Sequence, residues 1–400
     1  MKHASLLLIT GFMILSTVTG QKQSLKEQAP SPPMGWNSWN WFQRNVDEDL
    51  VKEVIDAMVA EGLRDAGYEF IVIDGGWRDS VLSPEGKLIP DPEKFPGGIK
   101  ALADLAHSKG LKLGMHTCPG THDCGHNPVG GFGVEEMHIQ QFIDWGIDFI
   151  KLDECYYNVN GCGQCWDEEL LEQTYRKWRR ILDEKNSDIV LAICAYSFRD
   201  WNPEVGVMAR STFDIGFGRN IAFNSTDRTN FLAVMDIVDQ NNENADNAGD
   251  GFWNDPDMLL VGHDGLTPEE QKAHFALWCV MTAPLMLGND PRNMSDEEKD
   301  ILLNKEALAI DQDPGEQGRK VELRGDSEIW IKNLGNGDKA VVLLNRDPEN
   351  RATITLQWDD LGLKGRKKLR DVFEKKDLGR YRNSASFEVG PNSCRFLRIS

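Results

Sequence analysis

An eight-stranded (β/α)8 TIM barrel followed by an antiparallel β-sandwich is the fold this sequence predicts, and three observations carry the prediction. Short apolar segments of β-type composition alternate with amphipathic segments of helical length through the first three quarters of the chain. Eight such β segments occur, and their C-terminal tips recur at intervals of roughly 35–42 residues. Polar and charged side chains gather at those tips, which is the end where a barrel of parallel strands carries its function.

The β segments are, in order, "MGWNSW", "YEFIVIDGGW", "LKLGMHT", "DFIKLD", "DIVLAICAY", "GVMARSTFDI", "GFWNDPDML" and "MTAPLMLGND". Between them lie "DLVKEVIDAMVAEGLRDAG", "GGIKALADLAHSKG", "EEMHIQQFIDWG", "LLEQTYRKWRRILDEK", "TNFLAVMDIVDQNN" and "PEEQKAHFALWCV", each with apolar residues at helical spacing. Only the step between the fifth and sixth β segments is too short for a clear helix. A doubly wound open sheet fits less well, because no glycine-rich phosphate loop follows an early strand. The pattern changes after "AIDQDPGEQG": the segments "SEIWIKNL", "KAVVLLNR", "ATITLQW", "KKLRDVF", "ASFEVG" and "CRFLRIS" alternate with Gly, Asn and Asp turns. The barrel is therefore assigned to residues 31–317 and the sandwich to residues 318–400.

The first twenty residues, "MKHASLLLITGFMILSTVTG", place a lysine before an apolar run and end in small residues. That is the pattern of a signal peptide (residues 1–20), and export to a periplasmic or secreted location is expected. The apolar run is too short for a membrane anchor, so no membrane insertion is expected. Export makes disulfide bonds the default reading of the eight cysteines, six of which lie between Cys118 and Cys194. With 44 Lys and Arg against 64 Asp and Glu, the net charge of −20 argues against a nucleic-acid partner. An apolar content of 40% supports a sizeable core.

The chemistry is read from the strand tips. They carry Trp36 and Trp39, Asp74, His116, Lys151 with Asp153, Arg210 with Asp214, and Asp255 with Asp257. Lys151 and Asp153 are two apart and so face the same side of a strand, the barrel interior. A lone strand-end aspartate would read as a helix N-cap, but carboxylates at several tips favour a site. Asp153 and Asp214 would stand at the fourth and sixth tips, with backbones roughly 10 Å apart. Inward side chains would close that to about 5 Å, the spacing of a retaining glycosidase pair. Lys151 and Arg210 would set the two carboxyls to different protonation states, and the tryptophans suit stacking on a sugar ring. This chemistry needs no cofactor and no metal.

The stretches "PPMGWNSW", "IDGGW", "DWGIDFIKLDEC", "RSTFDI", "GFWNDPDML", "TAPLMLGND" and "IDQDPGEQG" resemble the α-galactosidases and α-N-acetylgalactosaminidases of glycoside hydrolase family twenty-seven, the melibiase-like enzymes. The resemblance runs through nearly all of residues 33–400. It implies a barrel with a C-terminal β-sandwich, and exo-hydrolysis of terminal α-linked galactose from galactose-containing carbohydrate, with retention. It also implies Asp153 as nucleophile and Asp214 as acid/base. Trp39, Asp74, Lys151, Arg210 and Asp257 would contact the sugar, as would His116, which stands where the family commonly has tyrosine. By the same matching Cys124 pairs with Cys155.

Two departures leave the sugar open. The family usually has adjacent aspartates after the second strand, both reaching the O4 and O6 side of the sugar, whereas this chain has Asp74 then Gly75. The fifth tip, "ICAYSF", lacks the glutamate-tryptophan-proline of many α-galactosidases, and a small residue there resembles enzymes that admit a 2-acetamido group. An α-N-acetylgalactosaminidase and a β-L-arabinopyranosidase therefore stand as alternatives, as does a sugar-binding barrel without catalysis. The cluster "HTCPGTHDCGHN", with Cys155 and "CGQC" at 162–165, has the residue types of a zinc site, but an exported chain favours disulfides, a second one involving Cys162 and Cys165 included. The sequence leaves the oligomeric state, monomer or dimer, open.

Overall fold

The computed structural model describes residues 24–155, 167–215 and 230–400. The predicted leader, Cys162 and Cys165 lie outside the described residues. Eight parallel strands form one sheet: β1 (Met34–Asn37), β2 (Phe70–Ile73), β3 (Lys112–Thr117), β4 (Phe149–Asp153), β5 (Val190–Cys194), β6 (Met208–Arg210), β7 (Trp253–Asp255) and β8 (Leu285–Leu287). Each pairs with its sequence neighbour and β8 returns to β1. A parallel bridge between Leu259, just beyond β7, and Leu287 completes the ring.

The helices α1 (Glu48–Ala60), α2 (Ile99–Ser108), α3 (Glu135–Trp145), α4 (Glu168–Glu184), α5 (Phe231–Asn242) and α6 (Pro268–Met281) alternate with these strands. Local chemistry fixes their ends. The side chain of Asp47 caps α1 by accepting from the Leu50 amide, and Thr267 with Glu270 forms a capping box on α6 with Pro268 in its first turn. Gly146 stops α3 at φ 75°. Between β5 and β6 only the single turn Asn202–Val205 intervenes, which accounts for the short step in the sequence.

The alternation of side chains along the strands builds two layers. Leu152, Ile71, Leu113 and Leu191 join the apolar layer under the helices. Phe70, Val72, Phe149, Val190, Ala192, Met208, Trp253 and Met286 fill the barrel. Continuing the inward series by twos leads from Phe70 and Val72 to Asp74, and from Phe149 to Lys151 and Asp153. The interior thus changes from apolar at its base to charged at its C-terminal mouth. Gly35 is needed where β1 crosses Phe70: a Cβ there would lie 2.4 Å from the Phe70 carbonyl oxygen.

The C-terminal region is an antiparallel sandwich. Strands β9 (Arg319–Arg324), β10 (Ser327–Asn333), β11 (Lys339–Asn345), β13 (Arg366–Asp371), β14 (Lys376–Arg382) and β16 (Ser393–Ile399) make a six-stranded sheet. It packs on the pair β12 (Ala352–Gln357) and β15 (Ser384–Val389) around Val341, Leu343, Leu356, Trp358 and Leu397. Strands β9 and β14 were not among the segments expected from the sequence; they are the two edges of the sheet. The other face of this sheet lies against α6, whose residues Ala273–Met281 are all buried. Among the described residues no helix is long and apolar enough to cross a membrane.

Candidate active site

The tips of β1 to β7 surround a cavity of about 280 Å³. Trp39, Asp74, His116, Lys151, Asp153, Arg210, Asp214 and Asp257 all line it. Trp36, read with Trp39 as a stacking surface, does not: it is buried in the apolar layer under the helices and its indole donates to the Asn289 carbonyl at 2.8 Å.

Two charged clusters face each other there. In the first, Lys151 Nζ lies 2.8 Å from Asp74 Oδ2 and 3.6 Å from Asp153 Oδ2, joining β2 to β4. Asn37 also donates to Asp74 Oδ2, at 2.9 Å. Asp153 receives the Tyr196 hydroxyl at 2.8 Å on Oδ1, and His116 Nε2 stands 3.5 Å from Oδ2. Burial by itself would raise the Asp153 carboxyl. The hydrogen bond from His116, the charge of Lys151 and the Tyr196 hydroxyl outweigh it and hold the group well below the usual carboxylate range. Asp74 is lowered in the same way: burial opposes, and Lys151 prevails.

In the second cluster Arg210, almost fully buried, divides its guanidinium between Asp214 Oδ1 at 3.0 Å and Asp257 Oδ1 at 3.2 Å. Asp214 is the more exposed carboxylate, at 43%. Asp257 has φ 86°, a left-handed conformation that is costly for a side chain with a Cβ. The Ile215 and Met258 amides hold its carboxylate at 2.7 and 2.9 Å. Burial pushes Asp257 up to about 6, against Arg210 and with help from the charge of Asp214. One carboxylate is thus fixed as an anion in a closed setting, and another lies open to solvent across the same cavity.

Tyr196 was missed in the sequence. It follows β5 with φ 54°, a turn that carries its ring over Arg210 and its hydroxyl onto Asp153. At the fifth tip, read from "ICAYSF" for its small residue, a tyrosine ring also lines the cavity. Asn37 was also passed over, since nothing in "MGWNSW" distinguishes an inward asparagine from a turn residue.

Cys124 and Cys155 form a disulfide. It ties the loop after β3 to the residue two beyond Asp153, and the Cys155 amide donates to Asp153 Oδ1 at 3.2 Å. Cys118, Cys194, Cys279 and Cys394 carry free thiols. His116, Cys118 and Cys124 do converge, but the Cys124 sulfur is bonded to Cys155 and is not available as a thiolate ligand. The second disulfide expected at Cys162 and Cys165 falls outside the described residues.

The profile described as alpha galactosidase A matches residues 31–313, and that of the alpha galactosidase C-terminal beta sandwich domain matches residues 324–399. Alpha-galactosidase 3 of Arabidopsis thaliana is 39% identical over 397 residues, covering 96% of this chain and 85% of its own. The structure of alpha-galactosidase I from Mortierella vinacea superposes with a TM-score of 0.84 at 31% identity, over 92% of this chain and 96% of its own. A β-L-arabinopyranosidase structure from Geobacillus stearothermophilus is similar at TM-score 0.79 and 25% identity, over 94% of this chain and 98% of its own. The chain, with its paired carboxylates at the mouth of a (β/α)8 barrel, belongs to the alpha-galactosidase family, glycoside hydrolase family twenty-seven.

Proposed function

We propose that this protein is an α-galactosidase that releases terminal α-linked galactose from oligo- or polysaccharides, with retention, by double displacement. The observation that carries the reading is the difference between the two carboxylates. Asp153 is buried, ionised and held by Lys151, His116 and Tyr196, while Asp214 is half exposed beside Arg210 on the same cavity.

In this reading Asp153 attacks the anomeric carbon as Asp214 protonates the departing oxygen. The glycosyl-enzyme ester forms, and the sugar–oxygen bond breaks. Asp214, now a carboxylate, takes a proton from water, and that water displaces Asp153 from the same face on which the aglycone left. Lys151 and Tyr196 keep the nucleophile charged and oriented before attack. As the ester forms, the anion they support is consumed, and Lys151 retains Asp74 as its partner. Asp74, Lys151, Arg210, Asp257 and His116 supply polar contacts to the ring, and Trp39 an apolar face.

The leader at residues 1–20 directs export in this reading, and the Cys124–Cys155 disulfide supports an oxidising compartment. A second reading, a β-L-arabinopyranosidase, is favoured by Gly75, because that sugar is galactose-like and lacks C6. The 2-acetamido alternative is disfavoured by the Tyr196 ring. The test is Asp153→Asn, which keeps the shape and removes the charge: hydrolysis of nitrophenyl α-galactoside should fall to background in a folded protein. Substantial residual turnover would remove Asp153 from the role. Nitrophenyl β-L-arabinopyranoside assayed alongside separates the two readings.

A further inference from the structure

In a ring of eight strands β2 lies opposite β6. If the anomeric carbon sits between Asp153 on β4 and Asp214 after β6, the far end of the pyranose, C4 and the C5 arm that carries C6, must face β1 and β2. That places C6 beside Trp39, Asp74 and Gly75.

The cavity does not end there. A Cβ on Gly75 would meet only Trp39, at 3.4 Å and beyond, so the glycine leaves open the space that a larger side chain would fill. Past it the lining continues with Arg44, Arg78, Asp91, Lys94 and Asp123. The two carboxylates of this extension are already engaged. Asp123 accepts from the amides of Gly125 and Asn127 and from the Asn127 side chain, with Arg78 at 3.6 Å, and Asp91 accepts from the Glu93 and Lys94 amides. Lys94 Nζ touches only carbonyls, those of Arg44 at 2.7 Å and Gly76 at 3.1 Å. Arg44 donates to the Cys124 carbonyl at 3.1 Å. Neither cation has an ion-pair partner among the described residues, and both keep free donors. The extension therefore has an excess of positive charge inside a protein of net charge −20.

We infer that the pocket for the galactosyl unit continues past Gly75 into a second compartment that receives an anionic group on C6, a sulfate ester or a carboxylate, countered by Arg44 and Lys94. The inference rests on the α-galactosidase reading and deepens it. A carboxylate at position 75 would stand in the passage and repel such a group, and glycine removes both obstacles. The surrounding negative charge acts weakly at this range, since the screening length is about 8 Å at physiological ionic strength.

The test compares kcat/KM of the full chain on 4-nitrophenyl α-galactoside, its 6-O-sulfate and 4-nitrophenyl α-galacturonide. The expected result is a preference for one anionic substrate of about tenfold or more, the gain from one charge-assisted hydrogen bond. The preference should decline with added salt, and the better of the two substrates identifies the anion. Gly75→Asp and Arg44→Gln should each lower that selectivity ratio by about tenfold. A plain galactoside that is cleaved best, with the ratio unmoved in both variants, would overturn the inference and leave the hydrolase reading standing. Silence on all three substrates would instead remove the α-galactosidase reading on which the inference rests. Calorimetry with galactose 6-sulfate and galactose would then decide the compartment alone, and equal affinities would overturn it.

Discussion

Replacing Lys151 by methionine removes one charge from the centre of the site while keeping most of its volume. Its ammonium lies 2.8 Å from Asp74 and 3.6 Å from Asp153, with side-chain exposures of 15%, 4% and 6% for the three residues. Without it two buried carboxylates face each other's strands with no cation between them. Breaking a buried ion pair by removing one partner costs about 3–5 kcal/mol. The lower end is expected here, because the cavity admits water to one side of the pair. The sign of the pH dependence follows from the carboxyls. In the native protein both are held below their usual range, so the stabilisation they contribute is present above about pH 4 and is lost only as the pH falls through their native values. In the variant both rise and resist ionisation, so its stability declines as the pH climbs through the raised values. The gap between the two proteins should be about 3 kcal/mol near pH 7.5 and should shrink toward pH 4. Urea unfolding followed by tryptophan fluorescence at the two pH values measures it. A gap of the same size at both would mean that Lys151 contributes by packing alone, and the account of Asp153 as an anion fixed by its neighbours would fail.

Three further outcomes are expected. Asp214→Asn should cripple hydrolysis of galactosyl oligosaccharides by several orders of magnitude more than that of nitrophenyl galactoside, whose leaving group needs little protonation; equal losses on both would argue against Asp214 as the acid. Opening the Cys124–Cys155 bridge, which spans 31 residues of sequence, should cost roughly 3–4 kcal/mol by loop closure and lower kcat, as measured by unfolding and turnover before and after reduction. Glu154 is buried with neither oxygen partnered among the described residues, and burial pushes its carboxyl up to about 9. Its cost to folding therefore grows from about pH 5 to pH 9, so Glu154→Gln should stabilise the protein by about 1 kcal/mol or more at pH 8 and by little at pH 5. A denaturation midpoint unchanged at both pH values would show that Glu154 is ionised in the native state.

Much of this was readable in the sequence because periodicity speaks directly about barrels. Spacing by two places Lys151 and Asp153 on one face, and the inward series on β2 predicts Asp74 above Phe70 and Val72. What could not be read has a common cause. Strands β9 and β14, "RKVELR" and "KDLGRYR", lie at sheet edges, where charged side chains guard against pairing with other chains and the apolar alternation fades. Tyr196 reaches Asp153 through a left-handed turn, which no side-chain pattern announces. The sharing of Arg210 between Asp214 and Asp257 depends on strands distant in sequence, and the Asp257 conformation that allows it is set by its neighbours' amides. Position 75 was visible as a departure, but the cations waiting beyond it came into view only once the β3 loop was folded over Arg44.

The all-round burial of α6 has a consequence for how the chain is made. A helix with apolar residues on every side cannot rest at a surface, and the partner for its outer face is the sheet of β10, β11 and β16. That sheet follows the barrel in sequence, and β16 is the latest of its strands to be synthesised. During synthesis the barrel thus emerges with the outer face of α6 uncovered, and stays so until β16 is released. Premature stops within the last strand should accordingly yield aggregates rather than a free barrel, and quality control acting on nascent chains would meet this exposed seam before any enzyme exists.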